Sequence, residues 1–365
     1  MISIDLPVSF SRQRIHSSKM KTVHLTGIRQ LEVSDIPPPQ IKSPTDVLLK
    51  IEAVGLCGSD IQYYQTGKIG DQVVHYPFTL GHECAAVVED VGPGCTGVKQ
   101  GDPVVIDPAV SCGLCDQCRA NRRHTCRNLR FLGCPEQLDG CLSEFYILPE
   151  DNCFPVSHDM TPEQRVLVEP LSIGLYAVNF ISNTGVQSIG ILGSGAIGLS
   201  TALAARAKGI SRVYITDKID SRLEAAKTAG ALWAANPEKT DITKNIVEKE
   251  PFLLDAVFEC CGDQDALDLA VELLKPGGTL LIIGIPETDR IMFDVHKIRR
   301  KEIVLQNIRR QNRCVSEAIS LIQENRVSVD FMATHSFSLN ETQEAFELAS
   351  SYADGVIKAL IYMGR

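Results

Sequence analysis

Basic residues are in the minority in this chain. Its 36 Lys and Arg face 45 Asp and Glu, for a formal net charge of −9, and they form no long stripe; Arg119, Arg122 and Arg123 are only a local cluster. A nucleic-acid partner needs a basic face to neutralise phosphates, so none is expected. Long apolar runs are also scarce. The segment from Ile181 to Ala205 carries no charge, yet Gly190, Gly193, Gly195 and Gly198 interrupt it, and a strand-turn-helix reading explains it better than a membrane span. No span is expected. The N-terminus lacks a basic patch leading into an apolar stretch and a small-residue cleavage site. The 13 cysteines are an odd number spread along a long chain, unlike the dense even set of a small secreted scaffold. Reduced thiols and a cytoplasmic location are therefore expected.

A chain of 365 residues exceeds what one core usually supports, which predicts about two domains. Residues 21–165 hold short β-like runs, DVLLKIEAVG, ECAAVVEDVG, DPVVID and EFYILP, separated by turn signals. They predict a β-barrel-like domain. From Val186 the texture becomes strands alternating with helices, QSIGILG, AIGLSTALAARAKG, SRVYITD, SRLEAAKTAGA, LDAVFECCG, ALDLAVELLK and GGTLLIIGI, as in a doubly wound parallel sheet. The fold class is thus α/β, with boundaries expected at 1–171, 172–310 and a return to the first domain over 311–365. Residues 1–19 read as a polar extension, and Met20 would itself make a good start.

Cys112, Cys115, Cys118 and Cys126 form a C-x2-C-x2-C-x7-C cluster. In a chain of reduced thiols this spacing suits one zinc held by four thiolates at about 2.3 Å, a closed shell with no position for substrate. The lobe is expected to be structural. Eight of the other cysteines are expected to be unliganded, including the buried-looking Cys260 and Cys261.

The strand QSIGILG runs into GSGAIG, a G-x-G-x-x-G of Gly193, Gly195 and Gly198, with a helix after it and Asp217 19 residues beyond Gly198. That context identifies a dinucleotide site. The glycines permit a tight turn and close backbone approach to a pyrophosphate, and the helix N-terminus supplies N–H groups and the positive end of a dipole. Asp217 would accept from a ribose 2′-hydroxyl and repel a 2′-phosphate, so NAD is expected over NADP. Arg222 and Lys218 are expected either to soften that exclusion of NADP or to line the adenine pocket.

Two further segments carry metal-ligand types, GLCGSD with Cys57, Ser59 and Asp60, and LGHE with His82 and Glu83. With VEDVGPG, the four-cysteine lobe, VEPLSIG, GSGAIG and TDKIDSRL, they make the chain resemble the zinc-dependent medium-chain alcohol dehydrogenases, sorbitol (polyol) dehydrogenase branch, over essentially everything after Met20. The resemblance implies a GroES-like β-barrel catalytic domain and a Rossmann domain with the active site between them. It implies two zinc ions per chain. The catalytic one would be held by Cys57, His82 and either Glu169, where alcohol-active relatives have a third cysteine and which binds zinc directly or holds its water, or Glu83. Ser59 would bind the substrate oxygen and begin a proton relay, Asp60 would fix the His82 tautomer, and Tyr63, Phe131 and Arg309 would line the polyol pocket. One departure from the pattern is Ala86, where a glycine is usual.

The implied activity is oxidation of a secondary alcohol in a polyol or sugar to a ketone, with zinc acidifying the hydroxyl and hydride passing to NAD. Threonine, butanediol or a simple alcohol are alternative substrates, and a zinc-binding, NAD-responsive regulator is the non-catalytic alternative. A homodimer or homotetramer is expected from the resemblance and the apolar strand TLLIIGI.

Overall fold

The computed structural model describes residues 18–364; the expected extension, apart from its last two residues, lies outside them. Met20 opens the strand Met20–Gly27, paired antiparallel with Gln30–Ile36. Seven strands make the first sheet. In order they are Cys153–Pro155, Pro103–Ile106, Glu83–Val91, Asp46–Gly55, Lys358–Tyr362 and Ala333–Ser338, with Phe145–Pro149 also paired to Asp46–Gly55. Asp46–Gly55 reads DVLLKIEAVG, and its buried Val47, Leu49, Ile51 and Val54 fill the β-domain core with Leu80, Val88, Val104 and Ile361. The C-terminal strand Lys358–Tyr362 pairs antiparallel with Asp46–Gly55.

The second sheet is wholly parallel, in the order Trp233–Ala235, Arg212–Thr216, Ser188–Leu192, Leu254–Glu259, Leu274–Ile282, Val304–Asn307. This is the 3-2-1-4-5-6 order of a doubly wound sheet, whose ligand crevice lies at the carboxyl end of its first strand, where the strand order reverses. Ser188–Leu192 is that strand, buried at all five residues, as a strand covered on both faces must be. TLLIIGI is interior: Leu280 and Leu281 are fully buried, and Leu274–Ile282 is flanked by a strand on each side. Of the two sheet edges, Trp233–Ala235 and Val304–Asn307, the latter exposes Val304 and Leu305.

One helix, Pro162–Asn179, joins the two units. Thr161 and Gln164 cap it reciprocally, Gln164 N–H donating to Thr161 Oγ1 at 3.3 Å and Thr161 N–H to Gln164 Oε1 at 3.2 Å, and Pro162 supplies a preset φ in its first turn. Leu167, Leu171, Leu175 and Val178 pack with Ile189, Ile191 and Leu199 of the parallel-sheet unit, while Val166 packs with Ala53, Ala85 and Leu360 of the β-domain. The expected boundary between 171 and 172 falls inside this helix. The expected boundary after 310 precedes Val315–Gln323, whose Val315, Ala318 and Ile322 join the same core as Leu199 and Ile215.

Candidate active site

The four-cysteine lobe hangs from a short helix, Asp116–Arg119, with Cys115 at its N-terminus. Its sulfurs lie 3.4 Å (Cys112–Cys126), 3.6 Å (Cys115–Cys118), 3.8 Å (Cys115–Cys126) and 4.0 Å (Cys112–Cys118) apart. A tetrahedron with zinc–sulfur bonds of about 2.3 Å has edges of about 3.8 Å, so the separations fit that ion. Backbone N–H groups of Leu114 and Cys115 pull the Cys112 thiol down to about 6, towards the thiolate that a metal requires. His124 Nε2 meets the Tyr176 hydroxyl at 2.9 Å, and Asn312 Nδ2 donates to Asn121 O at 2.8 Å, so the lobe is tied to the joining helix and to the second unit.

The second constellation is assembled by one buried carboxylate. Asp60, in the first turn of the helix Gly58–Thr66, is fully buried and accepts from Cys57 N–H at 3.1 Å and Gly81 N–H at 3.1 Å. His82 Nδ1 lies 3.5 Å from the same oxygen that Gly81 uses. Gly81 has φ +95°, where a side chain is strained, and that turn delivers His82 to the head of Glu83–Val91. Burial alone would raise the Asp60 pKa, but His82 and the two N–H groups outweigh it and hold the carboxyl below its usual range. Burial opposes protonation of His82, yet Asp60 and Cys57 push its pKa well up. The pocket therefore favours a positive charge. Donor atoms of Cys57, His82 and Glu83 all lie within 4.8 Å of one another.

Of the two candidate carboxylates, Glu83 already has a cation. Both of its oxygens accept from Lys358 Nζ, at 2.8 and 2.6 Å, with the two side chains 1% and 2% exposed. Glu169 differs. It sits mid-helix on Pro162–Asn179, and its Oε2 is buried without a hydrogen-bond partner among the described residues. Burial first, then the nearby Glu83, push its carboxyl up to about 7. An orphaned buried carboxylate oxygen beside a cation-seeking Cys/His pair is the chemistry of a zinc ligand set with an open position. Sequence reasoning missed Lys358; the signal was a single lysine inside the apolar run VIKALIY.

Ser59 lies in the first turn of Gly58–Thr66, two residues from Cys57 and partly buried. Phe131 packs on His82 with ring centroids 5.2 Å apart, and Tyr63, 3% exposed, points its hydroxyl to Gln72 at 3.3 Å and Cys134 at 3.9 Å. Arg309 is exposed, and the residue over the Phe131 ring is its neighbour Arg310, its guanidinium carbon 3.4 Å from the centroid. Arg310 has φ +54°, and this left-handed turn, three residues past the edge strand, sends the second arginine inward rather than the first. Ala86 sits inside Glu83–Val91 without a positive φ, its carbonyl accepting from buried Arg165 at 2.8 Å, so the methyl group is accommodated without strain. A cavity of about 550 Å³ lined by Asp107, Arg123, His124, Gln311 and Arg313 lies on the lobe side and includes none of Cys57, His82 or Glu169.

At the crevice of the parallel sheet, Gly193 has φ +100°, and a Cβ on Gly198 would lie 1.8 Å from Gly193 O, so the loop closes on itself as a phosphate-binding turn does. Asp217 Oδ2 accepts from Ser194 N–H at 2.6 Å, binding the end of the second strand to this loop, and its Oδ1 accepts from Ile219 N–H at 2.8 Å. Arg222 reaches the loop from the following helix, 3.7 Å from where a Gly195 Cβ would stand, and donates to Val356 O at 3.2 and 2.9 Å. Of the two cysteines expected to be buried, Cys261 is exposed, while Cys260 packs against the core of the parallel-sheet unit. No helix among the described residues is long and apolar enough to cross a membrane.

Comparison with known proteins agrees with this geometry. Residues 43–158 match the alcohol dehydrogenase GroES-like domain family and residues 196–324 the zinc-binding dehydrogenase family. Sorbitol dehydrogenase of Bacillus subtilis is 33% identical over 95% of this chain and 98% of its own, and L-idonate 5-dehydrogenase of Vitis vinifera is 29% identical over 92% and 93%. Among solved structures, galactitol-1-phosphate dehydrogenase from Escherichia coli superposes with a TM-score of 0.86 at 26% identity, covering 94% of this chain and 100% of that one. A zinc-binding dehydrogenase from Sinorhizobium meliloti bound to NADP gives 0.86 at 28%, covering 95% and 100%. With both metal constellations and the glycine loop in place on this fold, the chain belongs to the zinc-dependent medium-chain dehydrogenases, in their polyol branch.

Proposed function

We propose that the chain oxidises a secondary alcohol within a polyol or sugar to a ketone, using NAD. The observation that carries this reading is Glu169. An orphaned buried carboxylate stands within electrostatic reach of His82 and Glu83, the latter being the carboxylate whose donor atom clusters with Cys57 and His82, on a helix packed against both the β-domain and the glycine-loop domain. In the reaction the substrate C–H bond breaks with its electron pair, the hydride reduces NAD, and the hydroxyl proton leaves to solvent, giving ketone, NADH and one proton. Cys57, His82 and Glu169 would hold a zinc ion, which when bound would supply the acidification of the substrate hydroxyl. The chain's own groups do the rest. Asp60 holds the His82 ring through Nδ1, leaving Nε2 as the ligand atom. Lys358 balances Glu83, so that two carboxylates coexist in one buried site. Ser59, in the first turn of its helix, takes the departing proton toward solvent. Asp217 accepts from the adenosine ribose and disfavours a 2′-phosphate, which selects NAD over NADP.

A homo-oligomer in the cytoplasm completes the proposal, with the exposed edge strand Val304–Asn307 as a surface for a second copy. The test is NADH formation at 340 nm from zinc-loaded protein with pentitols, hexitols, threonine, butanediol and ethanol. Turnover of polyols above the other alcohols supports the reading; turnover confined to ethanol or threonine overturns it.

A further inference from the structure

Arg310 is a largely buried cation beside the expected substrate pocket, favoured by Cys134 and by the charge of Glu169 but without a carboxylate in ion-pair contact among the described residues. Its guanidinium carbon sits 3.4 Å from the centroid of Phe131, which in turn packs on His82, so it stands one ring away from the expected reacting centre. It makes no ion pair among the described residues, and its Nη1 is buried without a hydrogen-bond partner. Cys134 meets part of the guanidinium, but the buried Nη1 is left over, and an unpartnered buried charged donor costs more than a neutral one. Burial, then Arg309, push Arg310 down to about 10, so it stays a cation at neutral pH. Around it the groups suit hydroxyls. Gln72 and Gln137 amides donate to Cys134 Sγ at 2.8 and 3.0 Å, Tyr63 adds a hydroxyl, and Gln137 Oε1 is a buried acceptor without a partner.

We propose that Arg310 selects polyols that carry a terminal anionic group, a carboxylate or a phosphate, over neutral polyols. The inference rests on the polyol reading above and specifies its substrate class. The planar guanidinium offers a charge-assisted, paired contact to an oxyanion. Gln72, Gln137 and Tyr63 would meet the intervening hydroxyls, while the carbon to be oxidised lies at Cys57, His82 and Glu169. The L-idonate and galactitol-1-phosphate dehydrogenases among the similar proteins are named for one acid and one phosphate of this kind.

The experiment compares kcat/KM for D-sorbitol, D-gluconate, L-idonate, galactitol and galactitol 1-phosphate in wild type, Arg310→Gln and Arg310→Lys. Calorimetric binding of gluconate to the NADH-saturated protein gives a readout independent of turnover. An anionic member is expected to exceed its neutral counterpart by about tenfold or more. Arg310→Gln should remove that advantage, lowering kcat/KM on the anion by about tenfold to a hundredfold and on the neutral polyol by less than about threefold, and Arg310→Lys should restore part of it. Preference for the acids assigns a carboxylate, and preference for the phosphate assigns that anion. Neutral polyols preferred by wild type, with a ratio that Arg310→Gln leaves unchanged, overturn the proposal while leaving polyol oxidation intact. If no polyol of any kind turns over, the proposed function itself fails, and the binding arm decides Arg310 alone: gluconate bound equally by wild type and Arg310→Gln overturns its role.

Discussion

Replacing Lys358 with methionine separates the two carboxylates of the site. Lys358 is 2% exposed and donates to both oxygens of Glu83, at 2.8 and 2.6 Å, and to Leu56 O at 2.9 Å. Burial alone would lower its pKa; Glu83 outweighs that and raises it, so the pair is charged in the folded protein. Methionine matches the length but leaves Glu83 buried without its cation. Breaking one side of such a pair costs about 3–5 kcal/mol, which at roughly 2–4 °C per kcal/mol lowers the melting temperature by about 10 °C. Adding Glu83→Gln to Lys358→Met removes the stranded charge and should recover at least about half of the loss, a coupling visible in a double-mutant cycle. Urea unfolding followed by far-UV circular dichroism measures the stability, and plasma mass spectrometry measures the metal. Glu83→Gln should keep its zinc and Glu169→Gln should lose the ion that sits with Cys57. A Lys358→Met protein destabilised by less than about 1 kcal/mol, or a Glu83→Gln protein that loses zinc while Glu169→Gln keeps it, would refute the assignment of the two roles.

Three further outcomes are expected. Asp217→Ala should narrow the ratio of kcat/KM with NAD to that with NADP, and a wild type that uses NADP as well as NAD contradicts the role given to this carboxylate. Cys115→Ser leaves three thiolates in a lobe tied to Tyr176 and Asn312, so thermal stability should fall while folded protein retains turnover; a folded, assembled variant with its other zinc but no activity would give the lobe a chemical role. Burial opposes ionisation of Asp255, but Lys275 and the N–H groups of Gln187 and Ser188 win and bring its pKa from 3.8 to about 2. A lowered carboxyl stabilises above its unfolded value and loses that contribution as pH falls through the folded one. Asp255→Asn should therefore lower stability at neutral pH and flatten its fall between about pH 4 and pH 2, and an unchanged acid limb would contradict this.

What was legible in the sequence was local. Cys112 to Cys126 and Gly193 to Gly198 are signals in which spacing along the chain nearly determines spacing in space, and Asp217 follows at a fixed distance because one helix and one strand intervene. The strands of both sheets announce themselves by burial pattern, as DVLLKIEAVG and QSIGILG do. Long-range partners gave no such signal. Lys358 reaches Glu83 across 275 residues, through a strand pairing that a sequence pattern does not specify. The choice between Arg309 and Arg310 turns on one positive φ, which the residue types do not reveal. TLLIIGI reads equally as an edge or an interior strand; only Val304–Asn307 beside it settles which. The helix Pro162–Asn179 crosses an expected domain boundary because its two faces serve two cores, and a cut by composition cannot follow a shared element.

The central claim is that Cys57, His82 and Glu169 hold the zinc at which an alcohol is oxidised, while the four-cysteine lobe holds another. Zinc content and NADH formation, measured together on wild type and Cys57→Ser, test it most directly. The account predicts about two zinc ions per chain in wild type with polyol-dependent NADH formation. In Cys57→Ser it predicts about one, with NAD binding and fold retained and turnover lost. Wild-type turnover that persists when the Cys57 substitution has removed one zinc, or a Cys57→Ser protein that keeps both ions and its full rate, would contradict it.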